Sequence, residues 1–215
     1  MRTLFSLSLL LLGGTLSGQK DGAAEAYLDK VARDLDPGHA LKISFDYLRE
    51  DLQSEAVIEG SGTLVLMGEK YKMDLDEAVI WFDGEKQYSL NTDIEEVYVS
   101  VPDPDNKEFM FTDPIRLLQN YKETFKYRLV GEGEMDGIPV TEIQLYPEEL
   151  GGPYALIKLY FATGSSALQS IVIRHKEGIV YTMKVAEKER MEDPGETFFR
   201  FSSDAYPDVD VIDLL

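Results

Sequence analysis

Apolar and polar residues alternate through most of this chain, and turn signals interrupt the alternation about every eight residues. That rhythm predicts successive antiparallel strands of one half-buried sheet. It is densest from Gly60 to Pro102, GSGTLVLMGEKYKMDLDEAVIWFDGEKQYSLNTDIEEVYVSVP, where Tyr71, Met73 and Leu75 share one face and Lys72 and Asp74 the other. Asp83-Gly84, between AVIWF and QYSL, predicts a type I′ hairpin, a turn that needs φ > 0 at both central residues. Upstream, Leu41 to Tyr47 predicts a strand with Leu41, Ile43, Phe45 and Tyr47 on one side. Downstream, strands are predicted at Phe125 to Val130, at Ile138 to Tyr146 after Asp136-Gly137, and in LIKLYFA, LQSIVIRH and IVYTMKVAEK, with turns at Thr163-Gly164 and Glu177-Gly178. A last strand centres on Thr197 to Phe201. About ten or eleven strands result.

Two segments carry helical spacing instead. From Ala23 to Leu35, Tyr27, Val31 and Leu35 recur at i, i+4, i+8 with Leu28 and Ala32 beside them, and Pro37-Gly38 stops the pattern. From Pro114 to Tyr121 a short helix is predicted, N-capped by Thr112 or Asp113, with Ile115 and Leu118 on one stripe and Leu117 and Tyr121 on another. With no βαβ rhythm, the fold class is mainly β: one strongly curved antiparallel sheet with helices at one side.

Composition narrows this picture. At 215 residues with 44% hydrophobic content the chain predicts one domain, residues 19–215. Residues 1–18 read as a secretory signal peptide: Arg2, an apolar run from Leu4 to Leu12 too short to span a bilayer, then small residues to Gly18. The mature protein is therefore expected outside the cytoplasm, in the periplasm, with no stable membrane insertion. There is no cysteine, hence no disulfide, no thiolate metal site and no N-terminal lipid anchor. A net charge of −19 argues against nucleic acid and anionic lipid headgroups; it suits a cationic partner surface without identifying one.

Chemistry is poorly supplied. His39 and His175 each lack a second ligand at metal spacing, no G-x-S-x-G elbow occurs, and a serine nucleophile would find few bases. The Asp103-Pro104-Asp105-Asn106 loop lacks the glycine and closing glutamate of a calcium loop, and Gly131-Glu132-Gly133 lacks the third glycine of a nucleotide motif. No catalytic residue, metal or cofactor is predicted. What stands out is apolar residues on both faces of some strands: Leu64 and Leu66 beside Val65 and Met67, Ile80 and Phe82 beside Val79 and Trp81. Two readings stay open, an ordinary two-sided core and a ligand cavity on the concave face.

The order of motifs resembles the LolA family of periplasmic carriers of outer-membrane lipoproteins. The residues concerned are A-L-x-I-x-F from Ala40, G-x-G-x-L-x-L from Gly60, V-I-W-F-D-G from Val79 with Leu90-Asn91, I-E-E-V-Y-V from Ile94, then F-R-F from Phe199 and Y-P-D-V-D-V-I-D from Tyr206. The resemblance implies an incompletely closed antiparallel β-barrel, a helical lid that includes Pro114 to Tyr121, and a hydrophobic cavity for the acyl chains of a lipoprotein. It also implies partners: an inner-membrane releasing complex that loads the carrier and an outer-membrane acceptor that unloads it. Lining residues expected on this basis are Phe45, Tyr47, Leu64, Leu66, Tyr71, Met73 and Trp81, with Ile115, Leu117 and Leu118 from the lid. The chain departs from the family where a tryptophan and a lid-closing arginine are usual: here stand Val65 and Met67-Gly68-Glu69, with Lys70 next, and Asp208 replaces the tail glycine. The alternatives are a periplasmic protein-binding scaffold, a carrier of another lipid, and an enzyme acting on lipid.

Overall fold

The computed structural model describes residues 20–34, 39–102, 121–149, 151–165 and 167–214. The signal segment 1–18 and most of the expected lid helix, including Ile115, Leu117 and Leu118, lie outside the described residues. In chain order the elements are α1 (Gly22–Asp34), β1 (Ala40–Asp51), β2 (Ala56–Met67), β3 (Lys70–Leu75), β4 (Ala78–Phe82), β5 (Gln87–Asn91), β6 (Glu96–Ser100), α2 (Tyr121–Thr124), β7 (Phe125–Met135), β8 (Ile138–Pro147), β9 (Tyr154–Ala162), β10 (Leu168–His175), β11 (Ile179–Met191), a 3-10 turn (Glu196–Phe199) and β12 (Asp210–Asp213).

The strands form a single twelve-stranded sheet in the order β12-β6-β5-β4-β3-β2-β1-β11-β10-β9-β8-β7. Local hairpins build most of it, and the pairing of β1 with β11 joins its two halves. The sheet is open: β7 and β12 stand at its two ends, unpaired with each other. Every neighbouring pair is antiparallel except β12 with β6, which is parallel.

Three sequence expectations are corrected here. Asp83-Gly84 is not a two-residue type I′ turn: only Gly84 has positive φ, and residues 83–86 make a longer loop closed by the Asp83 carboxylate, which accepts N–H bonds from Glu85 (3.0 Å) and Lys86 (2.8 Å). The dipeptide Asp136-Gly137 does place both residues at positive φ, 52° and 80°, between the paired Met135 and Ile138. Thr197 to Phe201 is no strand. Gly195, at φ 86°, turns the chain into the 3-10 turn, and Phe198, Phe199 and Phe201 fan over the sheet instead of alternating across it. The final strand is β12, which the sequence reading took for tail.

Helix α1 starts where Asp21 caps it, its carboxylate accepting the N–H groups of Ala23 (2.9 Å) and Ala24 (3.4 Å). Its buried stripe is Ala24, Leu28 and Val31; of the expected Tyr27, Val31 and Leu35, Val31 is buried, Tyr27 lies at the margin against the Phe161 ring, 5.6 Å away, and Leu35 lies outside the described residues.

Candidate functional site

Residues paired across a ladder share a face, so the registers trace rows across the sheet. One row runs Leu41, Leu66, Tyr71, Phe82; the next runs Ile43, Leu64, Met73, Ile80. On the other side of β1, Tyr47 faces Met183, and the row continues through Ile171, Leu159, Ile143 and Leu129. A parallel row holds Tyr181, Ile173, Ile157, Leu145 and Tyr127. One face, called inner below, is thus apolar from β4 to β7.

Two glycines shape its middle. Gly62 and Gly60 are the cross-strand partners of Phe45 and Tyr47. A Cβ on Gly62 would stand 2.6 Å from the Phe45 ring and 2.9 Å from the Asp74 carbonyl; one on Gly60 would stand 2.6 Å from the Tyr47 hydroxyl. Their bare backbones let both rings lie across the strand.

The inner face divides into two clusters. Over β7 to β10, Ala24, Leu28 and Val31 of α1 pack with Tyr121, Phe125, Tyr127, Ile143, Leu145, Tyr154, Ile157, Leu159, Phe161 and Ile173. Over β1 to β4 the cluster is Leu41, Phe45, Leu64, Leu66, Tyr71, Met73, Ile80, Phe82 and Met183, all from strands, with Tyr47 packed against it. Phe45, Leu64, Leu66, Tyr71, Met73 and Tyr47 therefore come together as the sequence grouped them.

Trp81 does not join them, which corrects the sequence reading. It points to the opposite face, packed with Val79, Leu90 and Val97 under Phe201 and Tyr206, whose rings meet it edge-on at 5.8 and 5.7 Å. Its neighbours Ile80 and Phe82 take the inner positions, and together with Leu41 and Met183 they were missed. Parity carried back from Met73 through the β3–β4 turn would have found Ile80.

Polar groups mark the margins of the inner face. The Tyr71 hydroxyl donates to Gln87 (3.0 Å), which donates to Ser89 (3.1 Å). Burial pushes the Tyr47 phenol up, helped by Asp76 and Glu77, so it stays neutral and apolar in character. At the α1 corner, Tyr121 donates to Asp29 (2.7 Å) and Tyr127 to Glu25 (3.0 Å), while the Lys122 ammonium sits 2.8 and 2.9 Å from the same two carboxylates. That ammonium and the two tyrosine hydroxyls hold Glu25 and Asp29 below the usual carboxylate range, and burial, then Glu25, pushes the Tyr127 phenol up to about 12.

The His175 ring lies between Tyr154 (4.7 Å, edge-on) and Tyr181 (5.3 Å, tilted), where burial lowers its pKa. Among the described residues no three His, Asp or Glu side chains gather as metal ligands would. An open recess of about 490 Å³ beside β1 is lined by Tyr47, Leu48, Gly60 and Thr182 together with Asp46, Glu59 and Lys184, so apolar and charged groups share its wall. What the site offers is apolar area bordered by hydroxyls. That suits the binding of an apolar group.

No family model and no curated protein matches the chain. Solved structures do. An uncharacterized conserved protein from Thermus thermophilus aligns with 89% of this chain and 99% of its own at 13% identity, TM-score 0.57. A DUF1329 family protein from Desulfovibrio piger covers 86% of this chain and 99% of its own at 11% identity, TM-score 0.50. What these two share with the chain is its fold. A LolA superfamily protein from Nitrosomonas europaea is also among the matches, over 83% of this chain and 97% of its own at 10% identity, with a TM-score of 0.46 too low to carry a functional conclusion.

Proposed function

We propose that the protein is a non-enzymatic carrier that takes the acyl chains of a lipoprotein, or of another lipid, onto the inner face of its sheet and ferries them across an aqueous compartment, the periplasm. The observation that carries this reading is the reach of the inner apolar face. A helix of 13 residues is about 20 Å long, so α1 spans at most about four strand spacings of 4.8 Å. The apolar rows run across nine strands, β4 to β7 in sheet order. Among the described residues the part over β1 to β4 is built from strand residues, which leaves α1 no part in its cover.

An acyl chain is a fitting one. Each buried methylene is worth about 0.8 kcal/mol, so a fatty chain left in water costs on the order of 10 kcal/mol and needs an escort. Burial is non-directional, which gives loose cargo selection, and residues of the chain's own that fill the face when empty would lower the net affinity and permit release. A releasing complex at the inner membrane and an acceptor at the outer membrane would supply and remove the cargo. The scaffold reading has one observation in its favour: Phe45, Tyr71 and Met73 are at most 1% exposed, as in a filled core.

Native mass spectrometry of the exported protein separates the two. A carrier retains lipid, binds a lipidated peptide in preference to its unlipidated twin, and gains thermal stability with each added methylene of a fatty ligand. Equal indifference to both peptides, with no dependence on chain length, would sink the carrier reading and favour the scaffold.

A further inference from the structure

The two ends of the sheet are finished differently. At the β7 end, the Asp21 N–H donates to the Tyr127 carbonyl (3.1 Å) and the Asp21 carboxylate takes the Leu129 N–H (3.1 Å). A bulge at Leu129/Gly131, with Gly131 at φ 144°, breaks the register just beyond. That edge is blocked, as natural sheets block edges that would recruit other strands.

At the other end, among the described residues, the outer edge of β6 is covered by β12, four residues long and the one parallel partner in the sheet. Val211 of β12 is 52% exposed and the following Leu214 61%. By contrast the strand beneath is firmly seated, with Val97 fully buried and Val99 7% exposed. Bonds from Asp210 N–H to the Glu95 carbonyl (2.9 Å) and from Leu214 N–H to the Val99 carbonyl (2.9 Å) bracket the pairing.

The charges across this pairing are of one sign. Asp210 stands directly opposite Glu96, and like charges at directly opposed positions destabilise a strand pair. The segment before it is pinned independently, because Tyr206 and Val209 pack into the cluster around Trp81. The aromatic cover of that cluster is thus anchored ahead of β12 in the chain.

We propose that the outer edge of β6 is a docking site for an extended, basic and apolar segment of a partner protein, and that β12 is its displaceable occupant. The incoming strand adds parallel to β6 in the register of β12. It carries lysine or arginine where Asp210 stands, facing Glu96, and apolar residues where Val211 and Ile212 stand, opposite Val97 and Tyr98. Backbone bonds supply the attachment and the side-chain pattern supplies the choice. The chain's charge of −19 favours the encounter with a basic segment and makes it salt-dependent. This surface is separate from the inner face and stands or falls independently of lipid carriage.

The test uses the full exported chain, a labelled peptide Gly-Ser-Lys-Val-Ile-Lys-Val-Ser, and a twin with aspartate in place of both lysines, followed by fluorescence anisotropy. The lysine peptide should bind and its twin should bind about tenfold more weakly or not at all. Ile212→Pro removes an N–H midway between the two bracketing donors and loosens β12, so it should tighten the lysine peptide by about tenfold. Glu96→Lys places a cation opposite the first of the two lysine positions and should reverse the preference between twins. The proposal is overturned if the lysine peptide does not bind, if both twins bind alike, or if Ile212→Pro leaves the affinity unchanged. It is overturned equally if native mass spectrometry finds the proline variant dimeric and indifferent to peptide, which assigns the edge to a second copy.

Discussion

Strands β9 and β4 belong to one sheet but live in different surroundings. In β9, burial alternates from Ile157 onward: Ile157, Leu159 and Phe161 face inward under α1, while Lys158 and Tyr160 face out. In β4, four consecutive residues, Val79 to Phe82, are buried, because residues 198–209 cover the outer face as well. A half with one cover keeps a clean period of two; a half with two covers loses it. The difference teaches where a core is shared between layers.

Large truncations should break the comparison most sharply. Phe161→Ala in the one-cover half and Trp81→Ala in the two-cover half should each cost about 3–5 kcal/mol in urea unfolding, since both rings are at most 3% exposed. Only inner-face changes should also alter binding of a lipidated peptide. If Trp81→Ala protein that remains folded loses the lipidated peptide, the assignment of Trp81 to the outer face is wrong. Next, Gly62→Ala should cost about 1–3 kcal/mol, because its new methyl group meets the Phe45 ring, Leu75 and a backbone oxygen at under 3 Å. Gly133→Ala, with nothing within 4 Å, is its control.

A pH effect should follow from the strap over the outer face. The Asp83 side chain is 5% exposed and bonded to Arg200 at 2.8 Å. Burial alone would raise its carboxyl; the Lys86 and Glu85 N–H groups and the Arg200 guanidinium outweigh that and hold it below the usual carboxylate range. A carboxyl lowered by folding stabilises the fold above its unfolded value and loses that contribution as pH falls through the folded one. Stability should therefore decline below about pH 4, and Asp83→Asn should flatten that part of the profile while being less stable at neutral pH. The smallest effect is expected at the α1 corner. Lys122→Met should lower the melting temperature slightly, and the loss should shrink in high salt, because its ion pairs with Glu25 and Asp29 are exposed.

Much of this was legible in the chain. Alternation located β1, β3, β7 to β11 and the partnership of Phe45, Leu64, Leu66, Tyr71 and Met73, because a strand with one dry face writes its register into its own residues. The AVIWF run wrote nothing of the kind: with both faces apolar, parity is undetermined, and Trp81 was grouped with the lining residues without its support. Likewise Phe198, Phe199 and Phe201 show β propensity but serve as a cover, since the outer residues Val65, Val97 and Trp81 had to be shielded. The parallel seat of β12 is also beyond sequence reading, because nothing local distinguishes a tail that pairs from one that does not.

The sequence by itself determined most strands of the sheet, the turn at Asp136-Gly137 and the strongly acidic balance, all of which depend on near neighbours and average composition. Only the tertiary structure decided which face of β4 is inner, what covers the outer face, and which end of the sheet is blocked. Those follow from contacts between residues far apart in the chain, such as Trp81 with Tyr206 and Asp21 with Leu129, whose meeting no local pattern records.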